Sequence, residues 1–407
     1  MPEADQACVF FVPLEGDRDA YPSLHLAAVN ANCCRILTKL TRPQHFFALA
    51  LINRLGLFFA RRTFIVKRNR HLWRHPGVRL ALLLAATNLR ILWAQPVDTP
   101  PADGLLSAAG PTFRITENQL TEPLTLVAYG DQRFTNPGNI RQTNPRIRQW
   151  LVKQIAKEHP AAVIMNGDVP LAGGVADDYT VFEAETKPWR DLHLQVFPTL
   201  GNHEFHGDPQ QDLENWWNAF PQMRNRRWYS AQLGQRVYLI ALDSDTSLLP
   251  GSNQARWIEK QIDDLPPSVD FVIVTLHHPP VADVQQHIEV DHNPRPNEMA
   301  LRDYLSKAAR SSHASFLVSA GHIHNYERHV AEGVTYLVSG GGGAPPHFVE
   351  RAPNDLYKSI LFPNYHYVRL TVEKDRLHGD MLRVENPEAE NLILELKDSF
   401  DIAAKPH

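Results

Sequence analysis

Short apolar runs alternate with amphipathic segments along most of this 407-residue chain. The runs occupy residues 124–129, 161–165, 194–200, 237–242, 271–276, 316–320 and 335–338. Segments with helical periodicity lie between them, near 144–158, 177–191, 209–220, 253–265 and 296–310. Buried strands that alternate with helices build a layered α/β domain. Alternating residues at both ends of this region, 114–120 and 365–384, predict further strands that complete a second sheet.

Polar residues follow five of these runs at the point where each strand should end. They are Asp131, Asp168, Asn202 with His203, His277 with His278, and His322 with His324. Each has an ordinary interpretation when it is taken alone, such as a turn, a helix cap or a surface histidine. Ligands of open α/β sheets bind beyond the carboxyl ends of the strands, and Asp, Asn and His are ligand types for Mn, Fe and Zn. Five such strand ends in one chain therefore predict a metal site, and alternation along extended backbone predicts that His322 and His324 point to the same side.

The polar residues belong to five short motifs. These are GD at 130–131, GD at 167–168, GNHE at 201–204, HHPP at 277–280 and GHIHNYER at 321–328. The set resembles the calcineurin-like metallophosphoesterase superfamily, and within it the purple-acid-phosphatase-like branch, over residues 122–345 and on to near 385. The resemblance implies an α/β fold of four layers, an αββα sandwich of two mixed sheets flanked by helices. It places the metal site at the carboxyl-terminal ends of the strands.

The resemblance also implies a role for each matching residue. Two metal ions are expected, with Fe, Mn and Zn as candidates. Their protein ligands would be Asp131 and His324 for the first, Asn202, His277 and His322 for the second, and Asp168 as the bridge between them. His277 is preferred to His278 because the family pattern reads His-x-Pro. A hydroxide held between the metals would attack the phosphorus, and His203 would act as the acid, with Asp168 as the other catalytic residue.

Two positions depart from the family pattern. Arg133 stands where many members have a histidine ligand, and Leu171 stands where purple acid phosphatases have the tyrosine that gives their colour. Arginine is always protonated and has no lone pair to offer a metal. Gln132 or water could fill the position. Arg133 could instead bind a substrate phosphate, or it could be an exposed turn residue. The glycines at 340–343 resemble the family's loop at the rim of the site, and His347 beyond them is a weaker candidate for substrate contact.

The sequence predicts a metal-dependent hydrolase of small phosphomonoesters, of acid-phosphatase type. A phosphodiesterase that uses the same residues remains open, and so does a degenerate metal-binding protein without activity. A membrane-tethered interaction protein would explain only the basic leader. Residues 96–407 carry 28 Lys and Arg against 40 Asp and Glu, which disfavours nucleic acid as a partner. All three cysteines lie in the first 34 residues, so the remaining chain uses neither disulfides nor thiolate chemistry.

The N-terminal region differs in charge from the rest. Residues 1–95 carry 13 Lys and Arg against 5 Asp and Glu and read as a basic leader. Residues 78–94 have a basic flank and an apolar core like those of a signal peptide, which predicts export to a periplasm or the exterior. The true start would then lie near Val78, and the leader would be absent from the mature protein; an uncleaved leader would be the chain's only membrane contact. A linker at 96–112, a catalytic domain at 113–390 and a tail at 391–407 are predicted to follow.

Overall fold

The computed structural model describes residues 110–120, 123–287 and 292–406, together with the backbone of two short strands near residue 60. The chain divides into two compact units, Met1–Ala94 and Gln95–His407. In the first unit, β1 (Phe58–Ala60) pairs antiparallel with β2 (Thr63–Ile65). The signal-like segment 78–94 and most of the predicted linker lie outside the described residues. Among the described residues, no helix has the length and apolar character needed to cross a membrane.

The second unit contains two mixed sheets. Their strands are β3 (Phe113–Ile115), β4 (Leu124–Tyr129), β5 (Ala162–Met165), β6 (Gln195–Pro198), β7 (Tyr229–Leu233), β8 (Val237–Ala241), β9 (Phe271–Leu276), β10 (Ser315–Ala320), β11 (Tyr326–Ala331), β12 (Val334–Ser339), β13 (His366–Val372), β14 (Arg376–Val384) and β15 (Leu394–Ala403). The seven-stranded sheet has the order β11-β12-β10-β9-β8-β7-β3, and the six-stranded sheet has the order β15-β14-β13-β4-β5-β6. Strands β8, β9, β10 and β12 are parallel neighbours in the first, and β4, β5 and β6 are parallel neighbours in the second.

Six helices connect these strands. They are α1 (Pro145–Lys157), α2 (Ala176–Glu185), α3 (Lys187–Asp191), α4 (Pro209–Ala219), α5 (Asn253–Asp263) and α6 (Pro296–Ser311). Asn144 caps α1 by accepting the N–H of Ile147, and Ser252 caps α5 by accepting the N–H of Ala255. The single helix predicted for 177–191 is wrong, because the structure divides it at Thr186 into α2 and α3. Pro188 explains the break, since proline lacks the N–H that would bond the carbonyl four residues earlier and its ring clashes with that carbonyl.

The four predicted layers are confirmed, and side-chain alternation shows how they form. Leu239, Ile273 and Leu317 point from the seven-stranded sheet into a core shared with the six-stranded sheet. Their neighbours Ile240, Val274 and Val318 point the other way, into a core that includes side chains of α5 and α6. Helices α1 to α4 contribute buried side chains, among them Trp189 and Trp216, to the core of the six-stranded sheet. Strands covered on both faces explain the continuous apolar runs in the sequence.

The C-terminal region adds a strand to this domain. Leu394–Ala403, which falls within the predicted tail at 391–407, forms β15 and pairs along its length with β14. Strands β13 and β14 confirm the prediction for 365–384, whereas the segment 114–120 forms only the short β3 and a 3₁₀ turn. The two parallel strand sets, β4-β5-β6 and β9-β10-β12, end in loops that meet, and those loops carry the predicted ligands.

Candidate metal centre

Four imidazole and oxygen ligands meet at the position predicted for the second metal. Nε2 of His277 lies 3.0 Å from Oδ1 of Asn202, 3.2 Å from Oδ1 of Asp168 and 3.3 Å from Nδ1 of His322, and this Nδ1 lies 3.2 Å from the same Asn202 oxygen. Ligands held at about 2.1 Å from one metal ion stand about 3.0–3.4 Å apart at octahedral or tetrahedral angles. The spacing of these four atoms therefore fits one coordination sphere.

The tautomer of His277 supports this interpretation. Its Nδ1 lies 2.9 Å from the carbonyl oxygen of Asn166, which can only accept, so Nδ1 carries the proton and Nε2 presents its lone pair to the cluster. Burial lowers the pKa of His277. Burial and the charge of His277 hold the pKa of His322 well below its usual value. Both rings are therefore neutral near pH 7, which is the state that binds metal.

The position predicted for the first metal is defined by two buried atoms that lack hydrogen-bond partners. They are Oδ1 of Asp131 and Nε2 of His324, which lie 3.4 Å apart. The other oxygen of Asp131 accepts the backbone N–H of His322 at 2.9 Å, and Nδ1 of His324 lies 2.5 Å from the carbonyl of Pro345. These contacts fix both side chains so that the unpartnered atoms face each other. Asp168 supplies a third ligand atom within 4.8 Å of both.

Asp168 thus borders both positions, as the expected bridge would. Its side chain is 1% exposed and belongs to the group with Asp131 and His324, while its Oδ1 also contacts His277. Burial acts to raise the pKa of Asp168, but the charges of His203, His277 and Arg133 oppose it and hold that pKa well below the usual value. Burial and the charge of Asp168 raise the pKa of Asp131. A cation between the two carboxylates would relieve this repulsion.

His203 lies beside the ligands without joining either group. Its backbone N–H donates to Oδ1 of Asp168 at 3.0 Å, and its Nδ1 lies 2.5 Å from the carbonyl of Leu171. Nδ1 therefore carries the proton, and Nε2 points toward Oδ2 of Asp168 at 3.8 Å. Burial lowers the pKa of His203 to about 4, so the ring needs a nearby anion to take up a second proton. A bound phosphate would supply that anion.

Arg133 is directed into the site and is not an exposed turn residue. Its side chain is 11% exposed, and Nη2 lies 3.3 Å from Oδ2 of Asp168. Its Nε is buried without a hydrogen-bond partner. The guanidinium therefore has donors available for a further ligand. Gln132 donates its side-chain amide to the carbonyl of Tyr129 at 3.1 Å, while its Oε1 is buried without a hydrogen-bond partner, and its role as a replacement ligand stays a prediction.

The geometry of the strand ends corrects one prediction. His322 and His324 do not point to one site along an extended strand, because they lie in the turn after β10 and His322 has a φ of +70°. His322 contacts Asn202 and His277, whereas His324 faces Asp131. Ile323 between them is fully buried.

Glycines at these strand ends allow the backbone to lie close to the predicted carboxylate ligands. A Cβ on Gly201 would lie 2.5 Å from Oδ1 of Asp168, and one on Gly321 would lie 2.6 Å from Oδ2 of Asp131. The glycines at 340–343 are also buried, and their backbone bonds to Gly130 and Asn325. This run packs against the loops that carry the predicted ligands, and its role as a rim that substrate approaches stays a prediction.

Sequence reasoning missed the residue that joins two of the loops. Glu204 is 1% exposed, and its carboxylate accepts the N–H groups of Asp168 at 3.0 Å, Val169 at 2.9 Å and Gly201 at 2.7 Å. It therefore fixes the ends of β5 and β6 relative to each other. Its place in GNHE was the available signal, but a buried carboxylate bonded to three backbone donors cannot be recognised from its residue type.

Further histidines extend the site on one side. His347 stacks on His324 with ring centroids 3.8 Å apart and on His292 at 4.5 Å. His278 packs against His322 at 4.3 Å, and its Nδ1 lies 2.9 Å from Oγ of Ser244. His347 is only a weak candidate from its place in the sequence, and no sequence pattern singles out His292. A pocket of about 220 Å³ opens here, and its lining includes His278, His292, Arg295 and His322.

Comparison with known proteins agrees with this architecture. Residues 142–326 match the calcineurin-like phosphoesterase family, a range that contains all the predicted ligands except Asp131. No curated protein matches the chain. Among solved structures, the purple acid phosphatase PPD1 from yellow lupin (Lupinus luteus) has a TM-score of 0.53 and 20% sequence identity, covering 70% of this chain and 54% of that one. This chain thus spans about half the length of that phosphatase.

Two further structures show weaker similarity. GAP50, the anchor in the inner membrane complex of Plasmodium, has a TM-score of 0.47 and 15% identity over 68% of this chain and 89% of that one. A dimetal phosphatase from Danio rerio has a TM-score of 0.45 and 14% identity over 70% of this chain and 100% of that one. Residues 142–326 therefore match the calcineurin-like phosphoesterase family, and the chain shares its two-sheet fold with the lupin phosphatase.

Proposed function

We propose that this protein is a metal-dependent hydrolase of small phosphomonoesters. The proposal rests on one observation. Oxygen and imidazole lone pairs face inward at two adjacent positions, and Nε2 of His203 lies beside them. The residues fit two metal ions, because Oδ1 of Asp131 and Nε2 of His324 are buried without hydrogen-bond partners, and four further donor atoms have the spacing of one coordination sphere. Bound metals would supply Lewis acidity and an activated water.

The protein's own residues then determine what happens to the ester. Asp168 would fix the separation of the two positions, since it borders both. His203 is held by Leu171 with Nε2 free, so a bound phosphate dianion would raise its pKa and let it protonate the leaving oxygen. Such acid catalysis contributes about 10²–10⁴-fold to the rate.

The preference for a monoester rests on Arg133. A monoester dianion carries one more negative charge than a diester, and the guanidinium adds a fixed positive charge whose Nε has no partner within the protein. The pocket of about 220 Å³ beside His322 would receive the alcohol part of a small ester. Nucleic acid is disfavoured as a substrate by the excess of acidic residues in 96–407.

The test compares kcat/KM for p-nitrophenyl phosphate and bis(p-nitrophenyl) phosphate on protein loaded separately with Mn, Zn and Fe. We expect the monoester to be preferred and His203→Ala to lose about 10²–10⁴-fold in kcat. His378→Ala on β14 is the matched control and should leave kcat unchanged, because its ring pairs with Asp380 and Asp401 away from the ligands. Preference for the diester would support a phosphodiesterase. Two bound metals without hydrolysis of either ester would support a degenerate protein.

A further inference from the structure

A second group of buried acidic residues lies apart from the candidate metal centre. Asp283 follows β9 by seven residues, and Glu327 and His329 lie on β11 at the edge of the seven-stranded sheet. All three are at most 1% exposed, and each offers a ligand atom within 4.8 Å of the others. Nε2 of His329 lies 3.2 Å from Oε2 of Glu327 and 3.8 Å from Oδ1 of Asp283.

Several atoms of this group have no hydrogen-bond partner although they are buried. They are Oε1 of Glu327, Nδ1 of His329 and, apart from a contact with the backbone of Ala352, both carboxylate oxygens of Asp283. Glu327 uses its other oxygen to accept the backbone N–H of Asp283 at 2.6 Å. A buried polar atom without a partner is costly, and a buried carboxylate without one is more so. A bound cation would satisfy these atoms.

The neighbouring charges do not supply that ligand. Arg351 is the nearest fixed cation, but its Nη1 bonds Asp355 at 2.9 Å and the carbonyl of Tyr326 at 2.6 Å, while it stays 3.8 Å from Asp283. Its charge is thus matched by Asp355. Asp283 and Glu327 remain as two carboxylates that only His329 could partly offset. Burial and the charge of Glu327 raise the pKa of Asp283 to about 7, although a backbone contact from Ala352 lowers it.

We propose that Asp283, Glu327 and His329 bind a third divalent cation, separate from the two of the catalytic site. One divalent ion would balance the charges of the two carboxylates. An imidazole beside two carboxylates is a donor set for zinc or manganese, whereas calcium takes oxygen ligands throughout. The site is structural, because it joins the loop after β9 to the edge strand β11. That loop begins with His277 and His278, so the cation would help to hold them in place.

Metal content tests the proposal independently of activity. The protein is dialysed against Zn²⁺ or Mn²⁺ alone, and metal per chain is measured by elemental analysis. Glu327→Gln should bind one metal fewer than the unsubstituted chain. Glu332→Gln is the matched control, because its carboxylate is 67% exposed and pairs with Arg310 on the surface. It should bind as many metals as the unsubstituted chain. Equal metal content in Glu327→Gln and the unsubstituted chain would overturn the proposal.

A second set of variants distinguishes metal bound at this site from metal bound at the catalytic site. Asp168→Ala/His277→Ala removes predicted ligands from both catalytic positions and should retain one zinc per chain. Adding Glu327→Gln to it should remove that zinc. If Glu327→Gln does not fold, thermal unfolding of Asp168→Ala/His277→Ala replaces the triple variant. Chelator should lower its Tm and zinc should restore it, and a Tm that responds to neither would contradict a third site. Loss of both catalytic metals with the third retained would leave this inference standing even where the proposed hydrolysis failed.

Discussion

Glu204 provides a direct test of how the candidate site is held together. Its buried carboxylate accepts three backbone N–H groups, from Gly201, Asp168 and Val169. Glu204→Ala removes all three bonds and leaves three buried donors without an acceptor. Hydrogen bonds to a charged group contribute about 1.5–3 kcal/mol each, and an unsatisfied buried donor costs about 1–3 kcal/mol. Burial and the charge of Asp168 raise the pKa of Glu204 to about 8, so the group is largely protonated near pH 7 and its three bonds contribute less than those of an ionised carboxylate.

We therefore expect Glu204→Ala to lower the free energy of unfolding by about 3–5 kcal/mol, below the simple sum of three bonds. Glu204→Gln should lose less, about 1–3 kcal/mol, because its carbonyl oxygen can still accept the two N–H groups that share Oε2. The side-chain NH2 of the glutamine would face the backbone N–H of Val169, so two donors would meet without an acceptor between them. Glu204→Ala should also weaken metal binding, since the loops that carry Asp168 and Asn202 lose their common anchor.

Urea unfolding followed by circular dichroism measures these differences, with metal content determined on the same samples. Glu183→Ala is the matched control, because Glu183 is an exposed residue of α2 and its loss should change stability by less than about 0.5 kcal/mol. A loss below about 1 kcal/mol for Glu204→Ala, or equal losses for alanine and glutamine, would show that these three bonds do not hold the loops.

Three further predictions concern residues of the candidate site. Arg133→Ala should raise KM for a phosphomonoester about 10- to 100-fold, as expected for a lost charged hydrogen bond, and an unchanged KM would show that Arg133 does not bind the phosphate. Asp168→Ala and His203→Ala should both nearly abolish turnover, but elemental analysis should find metal lost only from Asp168→Ala; equal loss from His203→Ala would make His203 a ligand. Because Leu171 replaces the tyrosine of purple acid phosphatases, the iron-loaded protein should show no strong visible absorption band, and such a band would contradict this assignment.

The sequence predicted the layered fold because the central strands are covered on both faces. Such strands must be apolar throughout, so β4, β8, β9 and β10 stand out as runs between polar segments. Strands β7 and β11 lack this signal. Their sequences, YSAQL and YERHVA, contain polar side chains that are buried among other polar groups. Periodicity cannot identify a buried polar residue whose partner lies in a distant segment.

The same reason separates the two groups of metal-binding candidates. The predicted catalytic ligands follow apolar strands, so strand ends reveal them one by one. Asp283 and Glu327 lie 44 residues apart, and neither follows the carboxyl end of a strand directly. Only the pairing of β11 at the sheet edge and the path of the loop after β9 bring them together. Their shared site is therefore visible in the structure alone.

Backbone strain gives independent support for the catalytic site. Eight non-glycine residues of the described chain have positive φ, and four of them, Asp131, Arg133, Asp168 and His322, lie in the candidate centre. Each such conformation costs of order 1–3 kcal/mol and persists only where the surroundings impose it. Glycine, asparagine, aspartate and histidine adopt it more readily than other residues, so Arg133 is the one whose conformation stability explains least. A guanidinium required at this turn to bind a ligand would explain it, at the position where many family members have a histidine.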